Sequence, residues 1–542
     1  MSSTTDVLIR GGTVYDGSGD EPFVGDVSVR GDRIVALERG GGGRPTVDLV
    51  VDADGLAVAP GFINMLSWAT ESLIADGRSQ SNIRQGVTLE VFGEGMSMGP
   101  LSDAMKANNR ERQGDIHYEI EWTTLREYLQ YLERRGVSCN VASFVGATTL
   151  RVHEIGYDDR PPTADELQRM CQLVEQAMED GALGVGSSLI YAPAFYADTP
   201  ELKALVRAAA PFGGMYISHL RSEAARLEEA AAELIEIARD ANAPAEIYHL
   251  KAAGASNFPK MASVIDMVEQ ARRDGLSITA DVYPYTAGST GLNATMPPWV
   301  QAGGHAAWVA RLRDSAIRER LRQEMQTPAE DWENMYLLAG SPDNILLVGF
   351  RNERLKGLAG KTLAEVAAMR GTPPIDTIMD LVIEDDSRVQ TIYFMIDEQN
   401  LQRAIRLPWV SFGSDAASLA PEGVFLQSST HPRAYGCFAR VLGRYVRELG
   451  LISLQEAVRK LSALPAANLK VSDRGRLESG YFADVVVFDP ASVSDHATYA
   501  APQQYATGVE HVFVNGVQVL RKGEHSRATP GRALFGPGHR RS

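Results

Sequence analysis

Two histidines, His219 and His249, each close a short apolar run and stand before a helix-like stretch. Carboxylates occupy similar places elsewhere: Glu94 after residues 84–92, Asp281 inside 276–283, and Asp415 after 409–413, with Lys251 just past His249. Imidazole and carboxylate are the ligand types of a hydrolytic metal site. Three such ligands hold an ion and leave one position for water, which then ionises near neutral pH. A carboxylate outside the ligand set can carry the proton to a leaving group. One histidine at a strand end is usually a hydrogen-bonded structural residue, but two at equivalent positions of consecutive units favour a site. Taken singly, Glu94 between two glycines reads as a loop residue, and Asp415 reads as a helix cap. The remaining histidines (His117, His153, His305, His431, His496, His511, His525 and His539) are expected at the surface.

These residues need elements to position them. The run ends at His219, His249 and Asp281 are 30 and 32 residues apart, the spacing of successive βα units. Between them, residues 223–241 carry Leu227, Leu234, Ile235 and Ala238 on one helical face and Glu228, Glu229, Glu236 and Arg239 on the other. Residues 261–273 repeat the pattern with Val264, Ile265 and Val268. Residues 84–92, 138–145, 182–188, 388–395 and 409–413 are further strand candidates. Eight strands alternating with helices predict an α/β fold, a (β/α)8 TIM-like barrel whose C-terminal strand ends share one site. No GxGxxG or P-loop pattern follows a strand, which argues against a nucleotide-binding sheet.

Both ends of the chain have a different texture. Short β-rich runs at 7–9, 13–15, 26–30 and 33–37 are divided by Gly11-Gly12, Gly17-Ser18-Gly19 and Gly31-Asp32, and Gly40–Gly43 reads as a loop tip. Residues 483–488 form another such run, and 511–514 faces 517–520 across Asn515-Gly516, a strong hairpin signal. The expected organisation is a small composite β-sandwich domain from 1–59 and 475–542. Around it lies a barrel over 60–474, with a charged helical insertion near 298–370.

The 542 residues carry 53 Lys and Arg against 69 Asp and Glu, a net charge of −16. That sign argues against nucleic acid and anionic membrane partners. Cys139, Cys171 and Cys437 form no close pair, so neither a disulfide framework nor a CxxC zinc site is expected. No apolar run reaches about 18 residues. The opening Met-Ser-Ser-Thr-Thr-Asp shows no basic and apolar leader, so a cytoplasmic location is expected. Homo-oligomerisation is left open.

Several longer motifs carry a resemblance. They are the segments at 7–17 (VLIRGGTVYDG), 59–63 (APGFI), 216–223 (YISHLRSE), 281–290 (DVYPYTAGST), 431–436 (HPRAYG) and 440–445 (RVLGRY). With them the chain resembles the amidohydrolase superfamily, and within it the N-acyl-D-amino-acid deacylase (D-aminoacylase) family. The resemblance runs from residue 7 to about 520. It implies a barrel beside a small β domain, His219 and His249 as zinc ligands, and Asp415 as the proton shuttle. It further implies that Arg433 grips the substrate α-carboxylate, a task suited to a bidentate guanidinium, and that Tyr283 and Ser289 line the pocket. Lys251 and Trp68 are read as further substrate-binding residues.

Three departures from the family pattern stand out. Its His-x-His pair is replaced by Leu66 and Trp68 in Asn64-Met65-Leu66-Ser67-Trp68, so a second metal position is not expected. Its cysteine ligand falls on Glu94, giving two imidazoles and one carboxylate around one divalent ion, zinc first, with manganese or cobalt as alternatives. A histidine of its Gly-His-Gly-Thr segment is Ala147. The expected function is a metal-dependent amidohydrolase acting on the amide of a small carboxylate-bearing N-acyl amino acid. The alternatives are a hydrolase of a cyclic amide, ester or amidine, and a metal-free ligand-binding protein.

Overall fold

The structure, a computed structural model, describes residues 5–40 and 47–540; residues 1–4 and Gly41–Gly43 of the expected loop tip lie outside them. Eight short parallel strands make the barrel. They are β1 Phe62–Asn64, β2 Val87–Phe92, β3 Asn140–Ser143 (continued by Val145–Gly146), β4 Gly184–Ser188, β5 Met215–His219, β6 Ala245–Ile247, β7 Ile278–Val282 and β8 Val410–Phe412. The Phe144 N–H donates to Phe92 O (2.9 Å), joining the two hydrogen-bonded runs. Closure falls just past β1: Met65 N–H donates to Phe412 O (3.3 Å) and Asp415 N–H to Leu66 O (2.8 Å). Ile63, Leu66, Val91, Phe144, Ile217 and Tyr248 fill the interior, so the barrel is a packed core with its chemistry at one end.

One expected barrel strand lies elsewhere. Within residues 388–395, Gln390–Phe394 is the central strand of a three-stranded antiparallel sheet, between Ala287–Gly291 and Ile345–Gly349. Its barrel place is taken by Phe62–Asn64. The half-buried apolar pattern of 390–394 suits either sheet, and only the distant partner strand decides. The charged helices near 298–370 belong with this small sheet, over an apolar cluster that includes Leu292, Trp308, Ile345, Ile378 and Tyr393.

A nine-stranded sheet unites both ends of the chain. Thr5–Val14 bends at a register shift between Ile9 and Gly12, with Gly11 at φ 73°. Before the bend it pairs with Val47–Asp52, and after it with Ala57–Pro60. Val485–Phe488 adds antiparallel to Ala57–Pro60, and Val509–Val514 and Val517–Arg521 follow. Ile9, Val27, Val58, Val487 and Phe513 pack inside. The Asn515-Gly516 turn has both φ angles positive, 49° and 78°, as the hairpin required. A Cβ on Gly516 would lie 1.9 Å from Gly31 O. Residues 531–536 then run under the barrel: Gly531 N–H donates to Val137 O (2.7 Å), Leu534 N–H to Val141 O (2.8 Å) and Gly536 N–H to Gly181 O (2.8 Å). No described helix is long and apolar enough to cross a membrane.

Candidate metal centre

Glu94 follows β2, His219 ends β5, His249 follows β6, and Asp415 follows β8, so all four stand at the C-terminal face. The glycines beside Glu94 have a steric cause. A Cβ on Gly93 (φ 108°) would lie 2.5 Å from Phe144 O, and one on Gly95 (φ 69°) 2.6 Å from Ser188 Cβ. Close passage of the chain against β3 and β4 turns the Glu94 side chain inward, where it is buried. Its Oε1 lies 3.2 Å from His219 Nδ1 and 3.3 Å from His249 Nε2. Tetrahedral zinc with bonds of about 2.0–2.2 Å needs ligand atoms roughly 3.3–3.6 Å apart; Glu94 Oε1 stands near that spacing from both nitrogens, and all three donor atoms lie within 4.8 Å of one another. Burial pushes the Glu94 carboxyl up, but hydrogen bonds from His219 and His249 outweigh it and hold the group well below its ordinary range.

The far sides of both imidazoles meet one carboxylate. Glu223 Oε1 is 3.0 Å from His249 Nδ1, and Oε2 is 3.6 Å from His219 Nε2. Lys251 Nζ donates to Glu223 Oε1 at 2.6 Å. Against its burial, the charges of His219, Lys251 and His249 keep Glu223 ionised. Such a carboxylate fixes the orientation of ligating histidines. Behind it sits Glu333, which accepts from Ser222 Oγ (3.0 Å) and from the Glu223 N–H. Burial, then the Glu223 charge, pushes Glu333 up to about 8. Neither Glu223 nor Glu333 was singled out in the sequence. The signal for Glu223 was its place four residues after His219; Glu333 comes from a charged stretch 110 residues further on and had none.

The two spare aspartates take different positions. Asp281 is fully buried beneath His249, accepting its backbone N–H at 3.0 Å. His249 has φ 38°, an uncommon conformation held by this contact. Asp415, at φ 48°, faces a cavity of about 620 Å³ that also contains Glu94, His219 and His249. Burial raises its carboxyl despite the Arg433 charge.

Trp68, Lys251, Tyr283, Ser289 and Arg433 all line that cavity. Trp68 Nε1–H donates to Glu94 Oε2 (3.1 Å) and to Asp415 Oδ1 (3.0 Å), bridging a candidate ligand and the cavity aspartate. Leu66 is buried in the barrel interior instead. Arg433 Nη1 lies 2.7 Å from Asp415 Oδ2 but off the hydrogen-bond direction, and its Nε has no partner among the described residues. Its guanidinium carbon is 4.5 Å from the Tyr283 ring centroid. Ser289 Oγ donates to Thr391 O (3.0 Å) in the small sheet.

Two histidines expected at the surface are buried. His431 accepts the Arg433 N–H on Nδ1 and donates from Nε2 to Ala287 O, both at 3.0 Å, and it lines the cavity. His511 packs in the sheet against Gln518. The polar surroundings of His431 gave no sign of this, because its covering residues come from distant segments, whereas His511 opens the apolar run 511–514.

A barrel with this imidazole and carboxylate cluster at its C-terminal face has the makings of a metal-dependent hydrolase. A sequence model of the amidohydrolase family matches residues 348–520. The chain is 33% identical to D-aminoacylase of Alcaligenes xylosoxydans xylosoxydans over 98% of each chain. A solved D-aminoacylase, described as having a binuclear metal center with one-metal activation and second-metal attenuation, superposes with a TM-score of 0.81 at 31% identity, over 98% of this chain and 100% of its own. The N-acyl-D-glutamate deacylase of Bordetella bronchiseptica, solved with zinc and a phosphonate mimic of the tetrahedral intermediate, gives 0.80 at 29% identity, over 98% and 100%. The chain belongs to the amidohydrolase family, with the D-aminoacylases.

Proposed function

We propose that the chain is a metal-dependent deacylase that cleaves the amide of an N-acyl amino acid. One divalent ion, zinc first, would be held by Glu94, His219 and His249. A divalent ion bound there supplies the Lewis acidity that activates water and polarises a carbonyl. Asp415 takes the proton of the attacking water on Oδ1 and delivers it to the leaving nitrogen. The Trp68 indole N–H orients that oxygen, and Glu223 keeps both imidazoles aimed. Arg433 and Tyr283 bind the substrate carboxylate, for which the Arg433 Nε is a free donor. The observation that carries the reading is the convergence of three ligand atoms, Glu94 Oε1 at 3.2 and 3.3 Å from the two imidazole nitrogens, in the cavity that Asp415 also lines.

The test has two parts. Metal analysis is expected to give about one equivalent per chain, lost in a His219→Ala, His249→Ala double variant. A screen of N-acyl D- and L-amino acids with zinc, manganese or cobalt is expected to find amide hydrolysis. A native protein that takes up no metal, or one that releases no amino acid from any of these amides, overturns the reading.

A further inference from the structure

The cavity does not end at the metal centre. A second cavity of about 600 Å³ adjoins it, and Tyr191, Arg388, Gln390, Ser429 and Thr430 line both. Tyr191 stands edge-on to His219, with ring centroids 5.4 Å apart. Arg388 is therefore on the wall one tyrosine away from a candidate ligand.

The charges in these cavities are mostly matched. In the inner cavity Lys251 meets Glu223 at 2.6 Å and Arg433 meets Asp415 at 2.7 Å. In the outer one Arg112 and Arg351 share Asp386, at 3.4 and 3.2 Å. Of the outer acids, Asp115 is taken by Lys356 (2.9 Å), and Glu71 accepts from the Tyr118 hydroxyl (2.8 Å). Among the described residues, Arg388 is the one arginine of either cavity without a carboxylate in ion-pair range.

Its neighbour points the same way. Arg388 and Gln390 flank Val389, whose φ of 51° breaks the extended path just before the strand, and both line the two cavities. Both are exposed to the cavities, and the Gln390 amide also has no partner among the described residues. The Arg388 stem lies over Gly291, where a Cβ would come within 2.8 Å of its Cγ, and the Arg388 carbonyl accepts the Leu292 N–H at 2.7 Å. The stem is anchored while the guanidinium is free.

We infer that Arg388 and Gln390 form an anion subsite between the two cavities, and that it takes a second carboxylate carried by the substrate. Guanidinium and carboxamide together offer the donor pattern that a carboxylate accepts from two sides. The subsite rests on the deacylase reading for its place on an N-acyl amino acid. The second carboxylate belongs either to an acidic amino-acid side chain or to a dicarboxylic acyl group.

The test uses isosteric pairs on the zinc-loaded, full-length protein. N-acetyl-D-glutamate is compared with N-acetyl-D-glutamine, and N-succinyl-D-alanine with its terminal amide. The readout is kcat/KM where a pair is turned over and calorimetric Kd where it is not, so a failed deacylase reading leaves the subsite measurable. The charged member of one pair is expected to be favoured about tenfold or more, and Arg388→Met to reduce that ratio to near one. The pair showing the gap identifies which end carries the carboxylate. No gap in either pair, or a gap that survives Arg388→Met, overturns the subsite.

Discussion

Asp415 and Trp68 lie within one hydrogen bond of each other, and each is open to a point-substitution test. Asp415→Asn keeps the shape but cannot accept a proton, so metal content is expected to stay near native while kcat falls about 10²–10⁴-fold. Trp68→Phe keeps an aromatic, if smaller, side chain and removes the N–H that bridges Glu94 and Asp415. A fall in kcat of about tenfold is expected, the scale of one charge-assisted hydrogen bond, with metal content again the control. Native turnover in the second variant would detach the indole from the alignment of Asp415. At this scale the meeting of these residues in one cavity was legible: His219 and His249 repeat at equivalent strand ends, and Glu94 and Asp415 follow two further strand candidates. Glu223 had only its place four residues after His219 as a signal, and its contact with both imidazoles depends on how that short loop turns back. Arg388 was hidden inside a segment read as barrel strand.

The hairpin after Val509–Val514 is the element through which the small sheet grips the barrel. Asn515 accepts from Arg474 Nη2 and donates to Asn140 Oδ1 and Pro530 O, all at 2.8 Å, while its N–H reaches Asp484 Oδ1 at 2.8 Å. Asn140 begins β3, so a turn residue in one unit is fastened to a strand of the other. Asn515→Ala removes three side-chain bonds and leaves Arg474 and Asn140 short of partners in a buried setting. It is expected to cost about 2–4 kcal/mol, read as a lower urea midpoint with unchanged slope. A loss under about 0.5 kcal/mol would mean that water replaces those bonds. The Asn-Gly signal foretold the turn and its positive φ angles. It held nothing about what the asparagine side chain would reach, since Asn140 lies 375 residues away. The barrel shows the same limit: Phe62–Asn64 is too short for a pattern, and its strand character comes only from closing against β8.

Across the whole molecule, acid is expected to weaken the fold through histidines held neutral. His525 donates from Nε2 to Arg78 O (3.1 Å) and accepts the Arg527 N–H on Nδ1 (2.9 Å). Burial, reinforced by nearby Arg78 and Arg84, lowers it to about 4. Its folded value lies below the ordinary 6.5, so between those limits the unfolded chain binds the extra proton. Stability therefore falls as pH drops from about 6.5 towards 4, and His525→Asn should make the urea midpoint less steep over that range than in the parent. Equal slopes would show that other groups govern the acid limb. The −16 charge remains the reason to discount polyanions, yet its sign does not describe the cavities, where arginines gather. The composite sheet has a further consequence, in time. Strands from the first sixty residues leave the ribosome with an edge that waits for Val485–Phe488 and an apolar face that waits for Leu477, Ala483 and the strands after them. At about 5–20 residues per second, the intervening 425 or so residues take roughly 20–85 s to synthesise. For that interval the N-terminal strands are a sticky, unfinished surface, so yield in a cell should depend on chaperone supply more than the stability of the finished protein suggests.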